Sequence, residues 1–298
     1  MVVASIGIFD GVHLGHRRIL EELKDAAERR GVPSAVFTVL YPMDYYSLRF
    51  PGLLIPPTER ARILQEMVDE VYFLDLSEIS HLSPEEFVVF LKRFGVVEIV
   101  VGDDFRFGRG GEGDVETLRE LSAELGMGLR VVEEVRCGGE RVSSSRIRRL
   151  IMEGRVRKAA ELLGRSYTIS GKVYRDRGLG RKIGFPTANV DRGFERLVIP
   201  KSGVYFSRVF VKGEEYFGVT NIGTRPTVGG EDVIKYETHI LDFDEDIYGV
   251  FIEVELLEYM REEMKFSSIE ELKGAIENDV KIARGMVKRW SKSSRSLS

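Results

Sequence analysis

Two histidines at HxGH spacing, His13 and His16, stand directly after an apolar run from Val2 to Ile8. The chain has four histidines in all, so half of them fall in one elbow. The apolar run reads as a buried strand, and the stripe of Ile19, Leu20, Leu23, Ala26 and Ala27 reads as the helix that follows it. Gly11 and Gly15 leave the backbone of the elbow without a Cβ, so it can come close to a ligand, and the first N–H groups of the opening helix lack partners within the helix. Such an elbow attracts anions, and imidazoles three residues apart with a glycine between them lie on its ligand side as two donors for phosphate. Gly and Asp serving turn chemistry alone is the bland alternative. The spacing of two imidazoles in so histidine-poor a chain favours phosphate chemistry.

Three further stretches carry residue types suited to phosphate or metal chemistry. GDDFRFG, Gly102 to Gly108, places Asp104 and Phe107 directly after the most β-branched run of the chain; a polar loop with two aromatics is the alternative on position alone. RVSSSRIRRL, Arg141 to Leu150, sets serines ahead of a basic helical turn, so that Ser144, Ser145 and the free N–H groups bind phosphate while Arg148 adds a bidentate donor, or the serines cap the helix and nothing more. GLGRKIGFPTANV, Gly178 to Val190, offers Gly180 and Gly184 for close backbone approach and Arg181 and Lys182 for charge. In the same stretch Thr187 and Asn189 lie two apart on an extended segment, hence on one face, as neutral oxygens for a hard cation such as Mg²⁺ held mainly by nucleotide phosphates. Further on, Glu237 sits in a strand whose Ile234, Tyr236 and Ile240 should pack, either on a solvated face or as a general base beside a metal-bound nucleotide.

The elements that must position these residues change character along the chain. As far as about Val132, apolar runs and helical stripes alternate: strands at Ser34 to Leu40, Val71 to Leu74, Val96 to Val101 and Leu129 to Val132, with helices at Pro57 to Val68, Pro84 to Phe94 and Val115 to Leu125. That alternation predicts an α/β domain with a parallel sheet and a ligand at the carboxyl ends of its strands. From Ser166 the pattern becomes short alternating runs between Gly- and Asp-rich turns, at Tyr167 to Tyr174, Gly203 to Val211, Tyr216 to Thr220, Ile234 to Leu241 and Phe251 to Leu257. These predict an antiparallel β domain, closed on one side by a helix from Ile269 to Trp290 with Ile269, Leu272, Ile276, Val280, Ala283 and Val287 on its stripe. The expected division is residues 1–164, residues 165–290 and a disordered tail at 291–298, SKSSRSLS, which has little apolar content to bury.

Composition narrows the function class. At 298 residues the chain suits two domains, each with its own core. No apolar run approaches the roughly 20 residues of a membrane helix, no basic leader precedes the first strand, and the single Cys137 excludes an internal disulfide, so a cytoplasmic setting is expected. A net charge of −4 argues against general nucleic-acid binding and for small-molecule partners.

The HxGH elbow resembles that of the nucleotidylyltransferase superfamily. With the other motifs, from Val2 to about Lys288, the chain resembles the bacterial bifunctional riboflavin kinase/FMN adenylyltransferases, also called FAD synthetases. FDGVHLGH, GDDFRFG and SSSRIR carry the likeness in the first half; GRKIGFPTAN, NIGTRPT and YETHILDF carry it in the second. The resemblance implies a Rossmann-like parallel sheet of nucleotidylyltransferase type followed by an antiparallel β-barrel of riboflavin kinase type. It implies ATP, riboflavin and FMN as substrates, FAD as product and Mg²⁺ as cofactor. It also implies that His13, His16, Ser144, Ser145 and Arg148 hold ATP for adenylyl transfer, with Asp104 and Phe107 near phosphate and flavin. Thr187 and Asn189 would take the kinase Mg·ATP, and Glu237 would be the kinase base. One departure stands out: YPMDYY, Tyr41 to Tyr46, replaces the His-Pro pair usual in the family. A class I aminoacyl-tRNA synthetase shares the HxGH elbow but pairs it with a KMSKS loop, and the nearest string, RWSKS at Arg289 to Ser293, lies in the tail.

Overall fold

The structure, a computed structural model, describes residues 1–176, 179–193, 195–226 and 232–294. By internal contacts the chain divides into two compact units. The first comprises Met1–Ile147, Leu162–Gly164 and Arg196–Val198; the second comprises Arg148–Glu161, Arg165–Glu195 and Ile199–Ser298.

The first unit runs β1 (Val2–Gly7), α1 (Leu14–Arg30), β2 (Ser34–Val39), α2 (Pro57–Gln65), β3 (Glu70–Leu74), α3 (Leu76–Ile79), α4 (Pro84–Arg93), β4 (Val96–Gly102), α5 (Val115–Glu124) and β5 (Gly128–Val132). A small hairpin, β6 (Arg136–Cys137) and β7 (Glu140–Arg141), then leads to α6 (Ser144–Met152). The five long strands form one parallel sheet in the order β3-β2-β1-β4-β5. Alternate residues feed two cores, Val3, Val36 and Val100 packing with α1 and α2, and Ala4, Phe37 and Ile99 packing with α4 and α5. Burial on both faces explains why these strands read as continuous apolar runs. Gly31 ends α1 with φ of 65°, and Ser83 opens α4 with a capping box, as their sequence positions predict. The strand order turns back between β1 and β4, the place in an open parallel sheet where a crevice forms outside the carboxyl ends.

After α7 (Val156–Leu163) comes a closed barrel with the order β10-β11-β12-β9-β8-β13. Its elements are β8 (Tyr167–Tyr174), α8 (Leu179–Lys182), β9 (Ala188–Asp191), β10 (Gly203–Val211), β11 (Glu214–Pro226), β12 (Asp232–Ile240) and β13 (Phe251–Arg261), then α9 (Ile269–Ser294). Inside it, Ser207, Thr220 and Thr238 form a buried hydroxyl chain with O···O distances of 2.8 and 3.0 Å. On the outside, Ala283 and Met286 of α9 cover Val204, Phe206 and Val219. This is the closing helix expected, except that Ile269 is exposed and the helix continues past Trp290 to Ser294. Of the expected disordered tail at 291–298, residues 291–294 are instead helical, and 295–298 lie outside the described residues, as does the end of the NIGTRPT stretch at 227. Among the described residues no helix is long and apolar enough to cross a membrane.

Candidate active sites

The elbow between β1 and α1 is held from below by buried polar groups. Phe9 and Val12 take positive φ values of 52° and 38°, a conformation that non-glycine residues keep only when their surroundings enforce it. Buried Asp10 accepts the Leu54 N–H at 3.0 Å, Thr38 Oγ1 donates to Ile8 O at 3.1 Å, and the fully buried Arg60 donates to Ile8 O at 2.8 Å and Leu40 O at 2.7 Å. Gly11 leaves room for Leu54, whose Cδ1 would lie 2.6 Å from a Cβ there, and Gly15 leaves room for the His13 ring at 3.2 Å. At these two positions the missing Cβ accommodates the protein's own side chains.

His13 is the N-cap of α1, and its Nδ1 accepts the His16 N–H at 3.2 Å. In the neutral ring the proton then sits on Nε2, which makes that nitrogen a donor. The two imidazoles stack with centroids 3.6 Å apart and planes 16° apart, and Phe9 meets His16 edge-on at 5.2 Å. Burial, with the neighbouring His13 and the Arg60 cation, holds His16 well below the usual histidine pKa, so it stays neutral near pH 7. Both rings border a cleft of about 250 Å³ between the carboxyl ends of β1 and β4.

The rim of this cleft carries Asp103, Asp104, Glu133, Glu134 and Arg141. Arg141 pairs with Asp104 and lies 3.3 Å from Glu134. Ser143 and Ser144 reach the wall at the start of α6, and Ser144 Oγ donates to Asp10 O at 2.9 Å, fixing that helix start against the elbow. Ser145 is exposed and not on the wall, and Arg148 falls in the second unit by the contact division. Phe107 departs from expectation. It is buried in the core against Phe87 at 5.6 Å, and Phe105, stacked on it at 5.7 Å, is the aromatic on the cleft wall. The Tyr41 to Tyr46 stretch folds inward through Tyr45, whose ring packs on Tyr41 and Phe50, while Arg196 donates to the carbonyls of Ser47 at 3.0 Å and Phe50 at 3.1 Å.

In the barrel unit a second cleft, about 260 Å³, is bordered by Asp176, Arg181, Thr187, Asn189, Thr238 and the segment from Phe243 to Tyr248. Gly180 closes a turn, since Phe185 N–H donates to Gly180 O at 2.8 Å and a Cβ on Gly180 would stand 2.3 Å from Phe185 O. Gly184 has φ of 93°, which glycine adopts without strain. Lys182 is exposed and off the cleft wall. Asn189 is buried, and among the described residues its Oδ1 has no hydrogen-bond partner. In the antiparallel register Glu237 lies opposite Asn189 of β9 and Asn221 of β11, so the three share one face. Glu237 is half-buried and is not itself on the cleft wall, which Thr238 and Ile240 of the same strand help to form; it reaches that side only through its register partner Asn189. The structure thus brings Thr187, Asn189 and Glu237 to adjoining positions. The sequence reading missed Asp10, Arg60, Arg141 and Lys235. Arg60 carried the plainest signal, a charge on the apolar stripe shared by Ile63 and Leu64.

The family model described as FAD synthetase matches residues 1–146, and that described as riboflavin kinase matches residues 163–287. The bifunctional riboflavin kinase/FMN adenylyltransferase of Pseudomonas fluorescens is 38% identical over 291 residues, covering 95% of this chain and 92% of its own. That of Escherichia coli K12 is also 38% identical, covering 95% and 91%. Among solved structures, one described as a macrolide-efflux protein from Streptococcus pneumoniae is 30% identical, with a TM-score of 0.85 over 95% of this chain and 94% of its own.

Proposed function

The chain belongs to the bifunctional riboflavin kinase/FMN adenylyltransferase family, and from that premise we propose how its residues divide the two reactions. The enzyme phosphorylates riboflavin to FMN in its riboflavin kinase half and adenylylates FMN to FAD in its FAD synthetase half.

In the kinase reaction Glu237 takes the proton of the ribityl 5′-hydroxyl as its oxygen bonds to the γ-phosphorus of ATP, and the bond from that phosphorus to the ADP oxygen breaks. A primary hydroxyl is far from ionised at neutral pH, so a positioned carboxylate helps. Thr187 and Asn189 would hold Mg²⁺ together with the ATP phosphates; the buried Asn189 Oδ1 without a partner is what a hard cation would satisfy. Bound there, the ion would neutralise charge on the β- and γ-phosphates. Gly180, Gly184 and Arg181 shape and charge the turn that delivers Thr187.

In the adenylylation an oxygen of the FMN phosphate, already anionic, attacks the α-phosphorus of a second ATP, and pyrophosphate leaves. His13 and the neutral His16 act as donors to the charge that builds there, Ser144 and the start of α6 add hydroxyl and N–H donors, and Ser145 and Arg148 extend that set. Gly11 and Gly15 keep the elbow in shape. Asp104 holds Arg141 at the rim, and Phe105 takes the flavin-side position first read for Phe107. The net charge of −4 supports small-molecule partners without nucleic acid, and the single cysteine suits a reducing cytoplasm.

The observation that carries this division is the Glu237–Asn189 pairing beside one cleft and the His13–His16 stack beside another. Chromatography of flavins after incubation with riboflavin and Mg·ATP tests it. Glu237→Gln should cut FMN formation by about 10²–10⁴-fold while still converting supplied FMN to FAD. His16→Ala should do the reverse, lowering FAD formation by about 10²-fold or more. A variant that lost both activities equally would speak against separate sites.

A further inference from the structure

Resting on Glu237 as the kinase base, we propose that Lys235 is a positioning residue for that carboxylate. Lys235 lies two residues before Glu237 on β12, so both side chains project from the same face of the strand. Tyr174, at the end of β8, lies opposite Asn189, which lies opposite Glu237, so one row of side chains crosses three strands. The Lys235 ammonium reaches back across that row. Its Nζ donates to Tyr174 Oη at 2.8 Å, lies 4.8 Å from the centre of the Tyr174 ring, and stands 3.6 Å from Asp176 Oδ2.

Both members of the ion pair are largely withdrawn from solvent, at 19% and 20% side-chain exposure, so the lysine is held in one conformation and not left sweeping the surface. The Tyr174 hydrogen bond, with Asp176 and Glu237 near, holds the ammonium above the usual lysine range, which places the Glu237 charge within its field. The position of the contact gives it its consequence. Asp176 is on the cleft wall, a few residues before the Gly180 turn that delivers Thr187 and Asn189. Lys235 therefore ties the strand that carries the base to the segment that leads into the nucleotide turn. A slip of either by a fraction of an ångström would separate carboxylate, hydroxyl and γ-phosphorus. Lys235 takes no proton and forms no bond in the reaction.

The test is steady-state kinetics on the full-length enzyme with riboflavin and Mg·ATP. Lys235→Met should lower the kinase kcat by about 10- to 100-fold with both KM values within about twofold, the pattern of lost alignment. Lys235→Arg, which keeps the cation and its reach, should recover most of that loss. Adding Lys235→Met to Glu237→Gln should slow the enzyme by no more than about twofold beyond Glu237→Gln alone, because the lysine acts through the carboxylate. Conversion of supplied FMN to FAD and the thermal unfolding midpoint of Lys235→Met monitor folding. Parent-like kcat in Lys235→Met, a loss confined to KM, no rescue by arginine, or full additivity in the double variant would each overturn the proposal. Parent-like turnover in Glu237→Gln would instead remove the base assignment on which it rests, an outcome distinct from a slow Glu237→Gln beside a normal Lys235→Met.

Discussion

His16 shows what burial does to a single functional group. Its neutral state follows from desolvation first and from the His13 and Arg60 charges next; in the role we propose for it, the neutral imidazole donates a hydrogen bond to phosphate without needing a proton from solvent. The same depression has a stability consequence with a definite sign. The unfolded chain binds a proton at His16 near the ordinary value of 6.5, and the folded chain resists it, so acidification below that value favours unfolding. The loss grows as pH falls from 6.5 toward the lower folded value and is absent above it. Carboxylates such as Asp69, held below the usual range by Ser34, contribute only in more acidic solution, near and below 3.8. His16→Asn should therefore flatten the fall in unfolding temperature between about pH 6.5 and 5, read by calorimetry across that window. A parallel fall in parent and variant would show that His16 protonates freely in the fold. The pairing of His13 with His16 was legible in the sequence because it is local. The Arg60 cation was legible only as a charge on an apolar helix stripe; its contact with the elbow, through Ile8 O at 2.8 Å, joins residues far apart in the chain and could not be read from it.

Elements were legible where a pattern repeats and obscure where tertiary contacts set it. Continuous β-branched runs such as Val96 to Val101 marked buried parallel strands, and alternation marked Tyr167–Tyr174 and Gly203–Val211 to the residue. β11 runs on to Pro226, well beyond the alternating core of Tyr216 to Thr220, because its last residues, from Gly223, pair with the start of β12 after the pairing with β10 ends at Ile222. The FRF triplet put two aromatics in one register, yet only Phe105 reaches the cleft. Phe107 sits over Gly113, where a Cβ would lie 2.7 Å from its ring, and packs on Phe87 of α4 at 5.6 Å, a tertiary contact that the local pattern does not announce. Gly180 invites the same correction of motive. The sequence suggested room for a ligand, and the structure shows a turn that closes only without a Cβ, 2.3 Å from Phe185 O. Gly180→Ala should thus displace the Phe185 to Thr187 segment and lower riboflavin phosphorylation by on the order of tenfold or more through misplacement of Thr187, with FAD formation from supplied FMN intact. Kinase kinetics matching the parent would mean the turn relaxes without moving the site.

At the scale of the whole molecule, two reactions share one chain, and the question is which residues each half needs. The change from helical to alternating pattern comes at Ser166, which puts the boundary near Gly164, and we propose residues 165–290 as the kinase domain on that ground. The contacts add a detail that pattern cannot carry, because residues 148–161 group with the barrel. Lys201 N–H donates to Ile151 O at 3.2 Å, Arg157 lies 3.9 Å from Glu258, and Gly154 comes so close to Tyr259 that a Cβ would stand 3.1 Å from its ring. Tyr259 in turn packs edge-on against the buried Tyr205 at 5.1 Å. Two fragments separate the roles of these parts. One starting at Arg165 keeps the barrel, Thr187, Asn189 and Glu237; one starting at Arg148 keeps the flanking helices as well. Both should phosphorylate riboflavin and make no FAD, since neither holds the His13–His16 elbow. The shorter should unfold at a temperature lower by at least about 3 °C, the shift expected from losing roughly a kilocalorie per mole of packing in a domain of this size. FAD from either fragment would move adenylylation out of the elbow, and a folded but inert longer fragment would mean that the kinase site needs residues from the first half of the chain.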